Sequence, residues 1–184
     1  ILVEASVYDR FMEGLEKSVK AYKVGDPTDE ATEMGPLVSK KHFENVEAYL
    51  SDGNVAFRGN APTGKGYFMA PAVLTPDKLT DRCMTEEIFG PVVSVYRFKD
   101  EAEALEIANS SEYGLSGSIW TRDLGRGVRV SRALESGNLS VNSHSSVRYN
   151  TPFGGFKQSG LGRELGPDAP LHFTEEKTVY YPAD

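Results

Sequence analysis

Apolar residues recur at helical spacing near the start of the chain. Val7, Phe11, Leu15, Val19 and Tyr22 place one apolar stripe along a helix over residues 7–22. The turn-forming run Gly25-Asp26-Pro27-Thr28-Asp29 closes it. Ser39 precedes a second helical pattern, with Phe43, Val46, Ala48, Tyr49 and Leu50 apolar and Gly53 as its stop. Residues 54–58 alternate and predict a strand. Residues 59–81 are rich in Gly and Pro and predict short strands and turns, with Thr63-Gly64-Lys65-Gly66 as a hairpin turn.

The second half has a clearer rhythm. Residues 92–98 predict one strand, and Asp100 caps a helix carrying Ala104, Leu105, Ile107 and Ala108. Residues 115–121 predict a strand with Trp120 in the core. Asp123 caps a helix carrying Leu124, Val128, Val130 and Leu134, and Gly137 ends it. Residues 139–141 form a short strand. Strand, helix, strand, helix, strand predicts an α/β fold, a parallel sheet with crossover helices. Right-handed crossovers place both helices on one face, and ligands in such sheets bind beyond the carboxyl ends of the strands. Residues 143–150 are polar and aperiodic. Residues 177–181, Lys-Thr-Val-Tyr-Tyr, alternate as a strand with no later partner, so the partner must lie elsewhere.

Composition changes this picture little. A chain of 184 residues with 39% hydrophobic content buries a core of ordinary size. Its formal net charge of −7 argues against nucleic acid or an anionic membrane surface as the main partner. A single cysteine, Cys83, excludes an internal disulfide framework and a cysteine-rich metal site, and fits a cytoplasmic, reducing location. No apolar run is long enough to span a bilayer. The chain opens Ile1-Leu2-Val3, which reads as the middle of a longer protein.

Candidate chemistry is sparse. His42, His144 and His172 lack metal-ligand spacing and read as solvated or core-satisfied, so no metal is expected. Cys83 has Arg82 beside it but Glu86 and Glu87 close by, an environment that opposes thiolate, so it reads as inert and partly buried. Asn109-Ser110-Ser111 and Asn138-Leu139-Ser140 match glycosylation acceptors by chance. Thr151 to Glu164 (TPFGGFKQSGLGRE) holds four glycines within nine positions but lacks the ending of a phosphate loop, and reads as a conformational hinge. The most informative stretch is Glu86-Glu87-Ile88-Phe89-Gly90-Pro91. Two carboxylates and a ring sit before an apolar strand, where they suit a ligand with sugar hydroxyls and an aromatic plane. A surface turn with solvated glutamates is the plain alternative.

The ordered set EEIFGPVVSVYRF, ANSSEYGLSGSIWTRD and NTPFGGFKQSGLGRE resembles the carboxyl-terminal part of the NAD(P)-dependent aldehyde dehydrogenase superfamily, over essentially the whole chain. The resemblance implies a catalytic domain lacking its start over residues 1–158. A segment crossing towards an absent cofactor domain follows over 159–173, and an oligomerisation strand over 174–184. It implies NAD or NADP as cofactor and an aldehyde as substrate. It also implies a homodimer or homotetramer joined through the terminal strand.

Site roles follow residue by residue from the resemblance. Glu87 would bind the nicotinamide ribose hydroxyls, and Phe89 would pack on the nicotinamide side of the cofactor. Phe153 would line the aldehyde tunnel. Val147 stands where many members carry another pocket aromatic, which implies a wider or differently shaped pocket. Glu164 matches a glutamate on a proton path, with an ion pair to Arg163 or a capping role as the other reading. The family's nucleophilic cysteine, general-base glutamate and oxyanion asparagine lie upstream of Ile1, so no catalytic residue of the covalent mechanism is expected in this chain. Two other readings stay open: a stand-alone binding or assembly module, and a coenzyme A-acylating member of the family.

Overall fold

The structure is a computed structural model that describes residues 1–145 and 147–183. Ser146, in the expected polar stretch, and Asp184, at the end of the expected terminal strand, lie outside the described residues. The chain forms two compact units, Ile1–Ala104 and Leu105–Asp184.

The first unit contains β1 (Leu2–Glu4), α1 (Tyr8–Ala21), α2 (Lys40–Asp52), β2 (Val55–Arg58), β3 (Ala72–Leu74), α3 (Arg82–Thr85), β4 (Val92–Ser94) and β5 (Tyr96–Phe98). β2 runs antiparallel to β3, β3 parallel to β4, and β1 parallel to β5. Side chains alternate across β3 as strand geometry requires. Ala72 and Leu74 face a cluster with Val46, Leu50 and Met69, so α2 covers that face. Val73 faces the other way, with Val3 and Val95 against Phe11, Leu15 and Val19 of α1. The unit is therefore a sheet between two amphipathic helices. Val73 and Leu74 are fully buried. Each contributes about 1.5–3 kcal/mol of transfer free energy.

The expected single strand over residues 92–98 is divided. Its first half bonds β3, with Val95 N–H donating to the Leu74 carbonyl at 2.8 Å. Its second half bonds β1, with Tyr96 N–H donating to the Ile1 carbonyl at 2.9 Å. One apolar run thus serves two neighbours in turn, a choice of partners that lies outside the run itself. β1 and α3 are additional to the elements expected. The bend at residues 64–66 lies inside the long connection, residues 59–71, between antiparallel β2 and β3, so in place of the expected tight hairpin turn there is an extended loop in which Gly64 and Gly66 carry φ of 120° and 113°.

α4 (Glu101–Asn109) begins at the Asp100 cap, whose carboxylate accepts from Glu103 N–H at 3.0 Å. In the second unit follow β6 (Tyr113–Gly114), β7 (Ser116–Ile119), α5 (Leu124–Ala133), β8 (Asn138–Val141) and β9 (Phe156–Lys157). Asp123 caps α5 as expected, accepting from Arg126 N–H at 3.1 Å. β7 and β8 are parallel and joined through α5, the predicted crossover unit. β6 and β9 form a short antiparallel pair that the sequence reading did not anticipate.

Trp120 departs from expectation. It is 60% exposed, donates its indole N–H to Ser118 Oγ, and lies 5.0 Å from the His144 ring. It follows the last residue of β7, beyond the stretch whose faces the sheet covers. Residues 175–183 belong to no helix or strand, with Tyr180 and Tyr181 exposed. A strand exists only with a hydrogen-bonded neighbour, and residues 177–181 have none among the described residues.

Candidate functional site

Residues 86–90 lead into the amino end of β4, the end it shares with parallel β3. This is the opposite end from the one expected for ligands of a parallel sheet. What holds the segment is α2. Ser39 caps that helix by accepting from His42 N–H at 3.2 Å, worth about 1 kcal/mol. From this start, His42, Val46 and Tyr49 stand at i, i+4 and i+7, one face of the helix. All three meet the EEIFGP segment. His42 Nε2 lies 2.6 Å from the Phe89 carbonyl oxygen. Tyr49 donates its hydroxyl to Glu86 at 2.8 Å. Gly90 comes so near Val46 that a Cβ there would lie 2.7 Å from both valine methyls, a close approach that needs glycine.

The two glutamates take different roles. Glu86 is held by Arg82 through paired contacts of 3.3 Å. Arg82 also reaches Asp52 at 2.6 Å and lies over the Tyr49 ring at 4.6 Å. The Arg82 hydrogen bonds, and then that of Tyr49, hold the Glu86 carboxyl below its ordinary value of 4.5. The Glu86 bond in turn raises the Tyr49 hydroxyl and, with Asp52, raises Arg82. Glu87, by contrast, has no ion pair or hydrogen bond among the described residues and is exposed.

A pH effect follows from Glu86. A carboxyl lowered on folding adds stability above its unfolded value, and that stability is lost as pH falls through the folded value. The melting gap between wild type and Glu86→Gln should therefore be open above the ordinary carboxyl value of 4.5 and close as pH falls below it. A gap unchanged as pH falls from neutral to well below 4.5 would contradict the Arg82–Glu86–Tyr49 linkage.

Glu87, Ile88 and Phe89 line a groove of about 650 Å³ together with Lys41, His42 and Asn45 of α2 and with Arg82. This volume lies in the range of small-molecule sites. Phe89 is 75% exposed and has φ of 54°. A bulky residue in that left-handed region is strained, and such strain gathers at ligand sites. A free carboxylate and a bare ring at one rim can accept from paired hydroxyls and cover a flat heterocycle.

The remaining expected site residues lie in the second unit. Phe153 and Glu164 are joined by reciprocal backbone hydrogen bonds of 2.7 Å, which close the glycine tract into a loop. Phe153 is half-buried and Glu164 exposed. The alternative ion pair of Glu164 with Arg163 is absent. The guanidinium donates instead to the carbonyls of Gly155 and Gly162, at 3.0 and 2.6 Å. Val147 is 50% exposed on the polar stretch.

Cys83 is half-buried against the cluster beside α2, as expected. Asn138 is buried, its amide donating to the carbonyls of Leu115 and Gly154, so the acceptor motif there is structural. The sequence reading did not assign His42, Asn45, Tyr49 or Arg82 to the groove. The signal for the α2 residues is the spacing of 42, 45 and 49 along one helix face, and for Arg82 its i,i+4 spacing to Glu86.

The family model described as "Aldehyde dehydrogenase family" matches residues 1–179. An aldehyde dehydrogenase of Emericella nidulans is 42% identical over 98% of this chain. The 2-aminomuconic semialdehyde dehydrogenase of Mus musculus is 40% identical over 97% of it. The chain spans 37% and 39% of the lengths of these two relatives. Among solved structures, an aldehyde dehydrogenase mutant from Bacillus cereus aligns with a TM-score of 0.90 and 39% identity, covering 95% of this chain and 36% of that one. Betaine aldehyde dehydrogenase from Staphylococcus aureus, in complex with NAD+, aligns at 0.88 with 35% identity, covering all of this chain and 40% of that one. The α/β fold with its parallel strand pairs is that of these enzymes.

Proposed function

The chain belongs to the aldehyde dehydrogenase family, and on that basis we propose that it is the nicotinamide-side part of a longer enzyme's catalytic domain. The whole enzyme oxidises an aldehyde to a carboxylate with NAD+ or NADP+ through a cysteine thioester. The observation that carries this reading is the pair Glu87 and Phe89 on one groove, the first without a partner among the described residues and the second held exposed at φ 54°. Similarity to an enzyme solved with NAD+ supports the cofactor class.

The residues present fit the nicotinamide riboside end of that cofactor. The Glu87 carboxylate accepts from both ribose hydroxyls and the Phe89 ring covers the heterocycle, while Arg82 and Tyr49 occupy Glu86 and leave Glu87 to the ligand. When bound, the cofactor supplies the hydride acceptor. Phe153 lines the aldehyde path, Val147 widens it, and Glu164 takes part in proton movement. The nucleophilic cysteine and general base belong to the longer protein's other residues, because Cys83 packs against the apolar cluster beside α2. The exposed run Val179-Tyr180-Tyr181 adds as a strand to a neighbouring subunit in a dimer or tetramer.

The test is aldehyde-dependent NAD(P)H formation by the full-length protein, followed by ultraviolet absorbance across a broad aldehyde panel. Turnover is expected with at least one aldehyde without coenzyme A. No turnover on any would remove the reading, and turnover only with coenzyme A would replace it with the acylating reaction.

A further inference from the structure

We propose that His42 is a positioning residue that sets the Glu87–Phe89 segment by holding the Phe89 carbonyl through its neutral Nε2–H tautomer. This rests on the reading of Glu87 and Phe89 as cofactor contacts. The bond spans 47 positions of chain and measures 2.6 Å. A carbonyl oxygen only accepts, so at that distance Nε2 must carry the proton. The other ring nitrogen, Nδ1, is buried and has no partner. A hydrogen there would be an unmet buried donor, whereas a bare lone pair is the smaller defect. The tautomer that serves Phe89 is therefore also the one the surroundings accept.

The carbonyl it holds belongs to the strained residue. Phe89 at φ 54° keeps that conformation only if its neighbours fix it. On one side Gly90 is packed against Val46, and on the other Glu86 is tied to Tyr49 and Arg82. Neither contact holds the Phe89 carbonyl itself; the imidazole does. Its own backbone is fixed by the Ser39 cap, and its ring stands 6.5 Å from the Phe89 ring. Without the bond, the peptide is free to leave the left-handed region, carrying the ring, and through Ile88 the Glu87 carboxylate, away from the groove.

Two measurements on the full-length enzyme test this. First, imidazole nitrogen NMR without cofactor should show the His42 signal, identified by its loss in His42→Leu, as the Nε2–H tautomer. An Nδ1–H tautomer would overturn the proposal, and the tautomer is read on the wild-type protein, His42→Leu serving only to assign the signal. Second, single-turnover NAD(P)H formation should fall about tenfold in His42→Leu, the scale of one neutral hydrogen bond. His42→Gln, whose side-chain amide restores a donor, should stay within about threefold of wild type. In a Glu87→Gln background, His42→Leu should cost under about threefold, because both act through one segment. Equal losses for the Leu and Gln variants, or a full loss on top of Glu87→Gln, would overturn it. A wild-type rate for Glu87→Gln alone would overturn the cofactor reading instead, with the tautomer still reporting on the His42–Phe89 bond.

Discussion

Glu87→Gln in the full-length enzyme is expected to slow single-turnover NAD(P)H formation about 10- to 100-fold while leaving the fold intact. The size follows from the chemistry of the side chain. A carboxylate accepts through two oxygens, whereas the amide keeps one acceptor and turns a donor towards the second hydroxyl. Loss of one hydrogen bond to a charged group costs about 1.5–3 kcal/mol, or about 10- to 100-fold in rate. The fold is indifferent because Glu87 is exposed and has no partner among the described residues. Surface substitutions of that kind stay within about 0.5 kcal/mol. Equal single-turnover rates for mutant and wild type would refute the role given to Glu87. A large fall in melting midpoint would show instead that the carboxylate supports the fold.

Gly137→Ala is expected to have the largest effect on stability. A Cβ at Gly137 would stand 1.8 Å from the carbonyl oxygen of Gly154 and 2.9 Å from its carbon. Both obstacles are backbone, so no rotamer relieves the clash. The backbones cannot part cheaply either. Gly137 N–H donates to the Gly114 carbonyl at 3.0 Å, and the Asn138 amide holds the Gly154 carbonyl at 2.9 Å. Opening this junction costs about 3 kcal/mol or more, which lowers the melting midpoint of a domain this size by roughly 6–12 °C. The same substitution at Gly14 provides the contrast. Gly14 lies on the exposed side of α1 with nothing within 4 Å of an added Cβ. There alanine should stabilise by about 0.5–1 kcal/mol through helix propensity. Calorimetric melting of both variants checks the sign as well as the size. A Gly137→Ala midpoint equal to wild type would mean that the junction is looser than the structure shows.

The same contrast marks how far the sequence could be read. Ser39, Asp100 and Asp123 were legible as caps because a cap bonds an N–H three residues away, within the window that local spacing describes. The β7–α5–β8 crossover was legible for a similar reason: period two gives way to helical period and back again. The division of residues 92–98 was not legible, since which edge of a strand is bonded depends on β1 and β3, far away in the chain. Trp120 was misplaced because an apolar ring beside a strand carries no mark of where the sheet's cover ends. Glu164 beside Arg163 suggests an ion pair by sequence, but the Arg163 guanidinium donates to two glycine carbonyls instead.

By itself, the sequence determined α1, α2, α4 and α5 with the caps of the last three, the α/β class and, through three ordered motifs, the family. It also singled out Glu87 and Phe89. Tertiary structure alone decided which carboxylate of the Glu86-Glu87 pair is free, because Arg82 and Tyr49 converge on Glu86, with Asp52 bracing Arg82, only in the folded chain. It alone brought His42 to Phe89 and Gly137 to Gly154. The physical reason is one of range. Helical periodicity and caps act across a few residues of backbone, whereas hydrogen bonds and steric contacts act over about 3 Å of space, whatever length of chain lies between the groups.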